Sequence, residues 1–160
     1  MSIFSSSNAL RPAASLAFIN PPGLYDPRPN GYTHVVIADA PSRLVYIAGQ
    51  GGENEAGELA DDFGLQVEQA LRNLTLALAA ADATLADVAK LTVLVVDHSE
   101  SRLRILTDRL RAAWGSRPAP ACTLIPVPRL ALDGMLFEVE ATAVLPASGV
   151  AGDQGGGGGD

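Results

Sequence analysis

The sequence predicts an α+β fold, a two-layer sandwich in which two helices cover one face of a single mixed sheet. Three observations predict it. Residues 135–144 alternate with period two: Met135, Phe137, Val139, Ala141 and Ala143 share one face, and Leu136, Glu138, Glu140, Thr142 and Val144 share the other. Phe63, Val67, Ala70, Leu71, Leu74 and Leu78 recur at spacings of three and four, as do Leu103, Leu106, Leu110 and Trp114, so each set forms the apolar stripe of a helix. The elements then follow in the order strand, strand, helix, strand, helix, strand, strand.

The first strand is expected at residues 17–20, stopped by Pro21-Pro22-Gly23. Residues 24–31, rich in Pro, Asp and Asn, read as a surface loop. Residues 32–37 and 43–48 are strands joined tightly by Ala40-Pro41-Ser42, so they are expected to form a hairpin. Gly49-Gln50-Gly51-Gly52 has neither the lysine nor the immediate helix of a phosphate loop and reads as a strand end and turn. Residues 54–58 are a polar loop. The first helix is expected over 61–81, with Asp61 or Asp62 at its positive end.

Residues 90–96 form a strand that is apolar on both faces. One helix layer covers one face, and the other is expected to be a subunit interface. Asp97-His98-Ser99 caps the second helix, whose Arg102, Arg104, Asp108, Arg109 and Arg111 form the wet side, and Gly115 and Pro118 end it. Residues 122–127 are a strand whose Pro126 is tolerable only at an edge or bulge. Asp133-Gly134 turns the chain into the last strand. By this register the sheet face opposite the helices carries Tyr32, His34, Glu138 and Glu140. That face needs water, a partner chain or a site.

Composition narrows the function. At 160 residues and 48% apolar content the chain suffices for one domain with a real core, expected over 17–146. Residues 1–16 read as a flexible segment and 147–160 as a Gly-rich tail without core-forming content. A formal net charge of −7, with no basic cluster, argues against nucleic acid and anionic membrane as partners. The apolar run at 16–19 is too short for a membrane span or signal peptide. Cys122 is the only cysteine, which excludes an intrachain disulfide and fits a reducing cytoplasm. Neither His34 nor His98 stands at ligand spacing from it, so no metal site is expected.

Several stretches together resemble the Rid (YjgF) family of small trimeric imine deaminases. They are Ile19-Asn20-Pro21-Pro22-Gly23, Gly31-Tyr32, Leu44-Val45-Tyr46-Ile47-Ala48-Gly49-Gln50, Asp87-Val88-Ala89-Lys90-Leu91-Thr92-Val93, Pro118-Ala119-Pro120-Ala121-Cys122 and Gly134-Met135-Leu136-Phe137-Glu138-Val139-Glu140-Ala141, in family order over residues 19–145. The resemblance implies a chorismate-mutase-like fold and a homotrimer whose sheets close into a barrel, with sites in the clefts between subunits. It implies hydrolysis of imines or enamines to a ketone and ammonia, without metal or cofactor. Tyr32, Gly49, Gln50, Cys122 and Glu138 stand where the family motif has them. Three positions depart from it. Pro120 stands where the family has the arginine that clamps the substrate carboxylate, Ala48 where it has a serine, and Thr107 where it has an asparagine. A guanidinium grips a carboxylate by two parallel hydrogen bonds, and proline has no donor.

These positions define the expected site. Glu138 is the candidate for orienting water, against the reading of a solvated strand carboxylate. Tyr32 lines the entrance or packs in an interface. Gly49 and Gln50, with Ala48, line the pocket through backbone groups, and Ala121 and Cys122 bind substrate in the same way. No histidine is placed to activate Cys122, so it reads as a small core residue rather than a nucleophile. Arg117 and Arg129 are the other candidates for the missing clamp, and both read as solvent-facing. The leading expectation is a Rid-like hydrolase or deaminase acting on a small imine, enamine or related metabolite that lacks the usual carboxylate. The alternatives are a non-catalytic trimer that binds a small molecule or a partner, and a specialised biosynthetic enzyme on the same scaffold.

Overall fold

The computed structural model describes residues 16–147. The expected N-terminal segment 1–16 and the Gly-rich tail 147–160 lie outside the described residues except at their inner ends. The strands are β1 (Leu16–Ile19), β2 (Val35–Ala38), β3 (Ser42–Gly51), β4 (Val88–Val96), β5 (Ala121–Val127) and β6 (Phe137–Pro146). The helices are α1 (Phe63–Ala79) and α2 (Glu100–Trp114), and short 3-10 turns occupy Arg28–Asn30 and Leu85–Asp87. The main sheet runs β3-β6-β4-β5; β4 and β5 are parallel and the other neighbours antiparallel, so the sheet is mixed. α2 is the crossover that returns the chain from β4 to its parallel neighbour.

β6 sits inside the sheet because one of its faces is continuously apolar. Phe137, Val139, Ala141 and Ala143 are all buried, and the register sets Phe137 beside Val95, Val139 beside Val93 and Ala141 beside Leu91, while Met135, just before the strand, is buried in a separate cluster with Val96 and Leu130. The helices cover that face. All six residues of the α1 stripe are buried; in α2, Leu106, Leu110 and Trp114 are buried, and Leu103 stays partly open. Asp62 caps α1, accepting from the Leu65 N–H at 2.9 Å, and Ser99 caps α2, accepting from the Arg102 N–H at 3.2 Å. β5 is an edge strand, which is why it tolerates Pro126.

Three expectations are corrected. β2 and β3 do not form a hairpin: β2 pairs antiparallel with β1, from Leu16 opposite Ala38 to Ile19 opposite Val35, while β3 pairs with β6. A short proline-containing connection joins strands without choosing their partners, and the chain here turns from one sheet into the other. The glycine-rich stretch is a strand end but not a turn at Gly49, because β3 continues through Gly51 with a bulge between Ile47 and Gln50. Finally, not all charges of α2 face water. Arg102 donates to the Val96 carbonyl and lies over the Phe63 ring at 5.1 Å, and Arg109 meets Glu68 of α1 at 2.7 Å, an ionic approach rather than a directed hydrogen bond.

The buried amide of Gln66 ties these layers together. It is fully buried, donates to the Ala60 carbonyl at 2.7 Å and the Gly134 carbonyl at 2.8 Å, and accepts from the Leu136 N–H at 2.8 Å. Gln66→Leu keeps most of the volume but removes all three bonds to part-buried backbone groups. Such bonds contribute about 1 kcal/mol each, so a loss of about 3 kcal/mol in urea unfolding is expected. A midpoint unchanged from the native chain would contradict this role.

Candidate functional site

Two of the expected site residues meet at the end of β3. Glu138 is half-buried on the β6 face turned away from the helices, opposite Leu94 of β4 and Gly51 of β3. The bulge leaves Ala48 and Gly49 outside the regular pairing with β6. A Cβ at Gly49 would fall inside the Glu138 carboxylate, so only glycine lets this backbone approach the acid so closely. Gln50 folds back, its side-chain amide donating to the Ala48 carbonyl at 3.1 Å. A carboxylate beside an exposed, bulged backbone is a place where a water can be held and a small ligand can reach main-chain groups.

A second group gathers around Tyr32. Tyr32, Thr107 and Cys122 line a cleft of about 260 Å³ together with Tyr25, Asn30 and Leu103. Tyr25, Tyr32 and His34 pack edge to face with ring centroids 5.1–6.4 Å apart, and the Tyr25 and Tyr32 hydroxyls share a hydrogen bond. The His34 ring bonds the Tyr25 carbonyl at 2.9 Å, so it braces this cluster. Pro120 is buried, and its carbonyl accepts from the Thr33 N–H at 3.0 Å. The backbone at Pro120 is thus committed to holding the segment that carries Tyr32. Ala121 pairs with Lys90, and its side chain points opposite to that of Cys122.

The two groups lie on opposite sides of the sheet. Cys122 is in register with Leu91, whose side chain is buried under the helices, whereas Glu138 is in register with Leu94 on the other face. The expectation that Tyr32 and His34 share the face of Glu138 is corrected accordingly. Their segment leaves the strand pattern before Val35 and turns toward α2, because Thr33 bridges to Ala121 at the sheet edge. One chain thus brings Glu138 to Gly49 and Gln50, and Tyr32 to Thr107 and Cys122, but does not bring the two groups together.

Neither spare arginine enters the cleft that holds Cys122. Arg117 donates to the Trp114 carbonyl at 3.0 Å and the Ala113 carbonyl at 2.8 Å, closing the end of α2, and Arg129 pairs with Asp133 at 3.2 Å. Tyr25 and Asn30 were not singled out from the sequence. Their one signal was an aromatic residue within a proline-rich loop, which reads as surface until the fold lays it across α2. Among the described residues no three of His, Cys, Asp and Glu converge as a metal-binding set, and no helix is long and apolar enough to cross a membrane.

A family model described as endoribonuclease L-PSP matches residues 26–145. The RutC family protein YjgH of Escherichia coli (strain K12) is 33% identical over 103 residues, which cover 64% of this chain and 76% of that protein. Among solved structures, YyfB from Yersinia pestis, described as a conserved Rid-family protein of unknown function, matches with a TM-score of 0.78 at 38% identity, over 81% of this chain and 98% of that one. RidA from the Antarctic bacterium Psychrobacter sp. PAMC 21119 matches with a TM-score of 0.59 at 30% identity, over 71% and 88% of the two chains.

Burial pushes the Cys122 thiol up from 9.0 to about 11, against a smaller opposing pull from the Lys90 charge. A rise of two units makes the thiolate about a hundredfold scarcer than in the unfolded chain at the same pH. Iodoacetamide at pH 8 is therefore expected to label Cys122 about a hundredfold more slowly in the native protein than in urea. Equal rates would show that the thiol is open and ionisable.

Proposed function

The chain belongs to the Rid (YjgF) family, and from that premise we propose that it is a Rid-type hydrolase acting on a small imine or enamine in a pocket shared between subunits of a homotrimer. The carrying observation is the Glu138 carboxylate set against the side-chain-free backbone of Gly49 on a half-buried sheet face. In this reading Glu138 accepts a proton from a bound water as the water oxygen adds to the imine carbon. The same proton then goes to the nitrogen, and the resulting carbinolamine collapses to a ketone and ammonia. No metal or cofactor takes part. The separation of the Glu138 and Tyr32 groups across one sheet supports the shared pocket, because a neighbouring copy can set its Tyr32, Thr107 and Cys122 opposite this chain's Glu138. The exposed Leu44, Tyr46 and Ile125 on the outer face supply apolar surface for that contact.

The substrate in this reading carries no carboxylate at the position the family clamps. Pro120 offers no donor there, and Ala48 and Thr107 remove further polar contacts. These losses also favour a second reading, a trimer that binds a small molecule without turning it over.

The deciding experiment is hydrolysis of 2-iminopropanoate, generated in situ, by the native protein, by Pro120→Arg and by Pro120→Arg/Glu138→Ala. The native protein is expected to be inactive on this carboxylate, and Pro120→Arg to gain turnover. Removing Glu138 in that background is expected to lower turnover by about a hundredfold or more. Turnover by the native protein would overturn the altered specificity. Turnover that survives loss of Glu138 would overturn its role. Because Pro120 is buried, a parallel assay uses 2-iminopropanamide with the native chain and with Glu138→Ala. Turnover of this neutral imine that depends on Glu138 supports the hydrolase, and binding without product supports the binding trimer.

A further inference from the structure

A larger cleft, of about 660 Å³, lies on the other side of Tyr32, between the β1–β2 connection and the C-terminal half of α2. Its walls include Phe18, Arg28, Asp108, Arg111, Trp114 and Arg117, and none of its lining comes from β3 or β6. We infer that this cleft is a binding site for a small monocarboxylate, held by the guanidinium of Arg111.

The three arginines are not equivalent. Arg28 is already occupied by Asp26, with two parallel contacts of 2.8 and 2.9 Å, and this pairing holds the Asp26 carboxyl below its ordinary range. Arg117 is spent on the Trp114 and Ala113 carbonyls at the end of α2. The Arg111 guanidinium makes no hydrogen bond or ion pair with any described residue, its backbone carbonyl alone accepting from the Gly115 N–H at 2.8 Å, although the residue lines the same concave surface. Its stem crosses Gly31, where a Cβ would stand 3.4 Å from Arg111 Cγ, a packing contact. Gly31 has a φ of 76°, closing the turn Arg28–Asn30, and this left-handed conformation is what favours glycine there.

An unoccupied guanidinium fork in a cleft with apolar walls suits a planar carboxylate, which it can hold by two parallel hydrogen bonds. The cleft is lined by three arginines and one carboxylate, although the chain as a whole carries a formal net charge of −7. Asp108 sets the charge of the ligand. Lying three residues before Arg111 on α2 and lining the same cleft, it repels a dianion more than a monoanion. This site does not depend on chemistry at Glu138, and its test reads binding alone.

The test titrates the full chain with propanoate, with its neutral isostere propanamide and with inorganic phosphate. Calorimetry and the emission of Trp114, the chain's single tryptophan and part of the cleft wall, report binding. Propanoate is expected to bind and shift the emission, and propanamide to do neither. Arg111→Ala and Arg111→Gln are each expected to weaken propanoate by about tenfold or more, whereas Arg104→Ala, an exposed charge on the same helix outside the cleft, leaves it unchanged. The proposal is overturned if propanoate and propanamide behave alike, if both Arg111 variants bind as the native chain does, or if Arg104→Ala weakens binding equally. Phosphate binding more tightly than propanoate would also overturn the carboxylate assignment.

Discussion

A fully buried side-chain amide costs free energy unless its polar atoms are bonded, and Gln66 meets that demand with three backbone groups. Those partners lie just before α1 and in the turn that feeds β6. Forming the bonds therefore sets how β6 enters the sheet relative to the helix. Gly52 packs against the same residue so tightly that a Cβ would stand 2.6 Å from Gln66 Cβ. Further along α1, Asn73 donates to the Gly51 carbonyl at 3.0 Å and the Glu53 carbonyl at 2.8 Å. One helix thus holds the end of β3 and the start of β6, the two segments that place Gly49 beside Glu138.

The position of Glu138 then follows from parity. Phe137 and Val139 are fully buried beneath the helices, so the residue between them must face the other way. A one-residue slip would bring Glu138 into the core and expose both neighbours. The same rule fixes Cys122 beside Leu91 under the helices. The distance between the two groups is therefore a property of the sheet, not of a particular side-chain conformation. Chemistry that uses both groups, as proposed for a trimer, draws the second one from a neighbouring chain. The cleft around Arg111 is built from α2, the segment that follows it and the β1–β2 connection.

Much of this was legible in the sequence, for reasons specific to each element. The alternation from Phe137 to Ala143 and the stripe of α1 are local periodicities tied directly to burial and read correctly, whereas Met135 precedes the strand and Val144, read on the open face, is buried. The family motif named Glu138 and Gly49 for one site without stating their contact, which the bulge in β3 creates. Strand pairing was less legible: β2 chose β1 over β3, and nothing in Ala40-Pro41-Ser42 encodes that choice. Tyr32 was read on the wrong face because period two was extended past the point where the chain leaves the ladder. Arg102 and Arg111 belong to the same helix and the same residue type, yet one lies over Phe63 and the other enters a cleft formed by a distant loop. Only the packing of that loop against α2 separates them.

The claim on which the functional reading most depends is that one chain holds two halves of a site that a neighbouring chain must complete. Sedimentation equilibrium of the native protein tests this most directly and needs no substrate. The expected result is a single species with three times the 16.5 kDa chain mass, stable across micromolar concentrations. A monomer of 16.5 kDa throughout that range would contradict the account, because Glu138 and Cys122 would then remain on opposite faces of an isolated sheet.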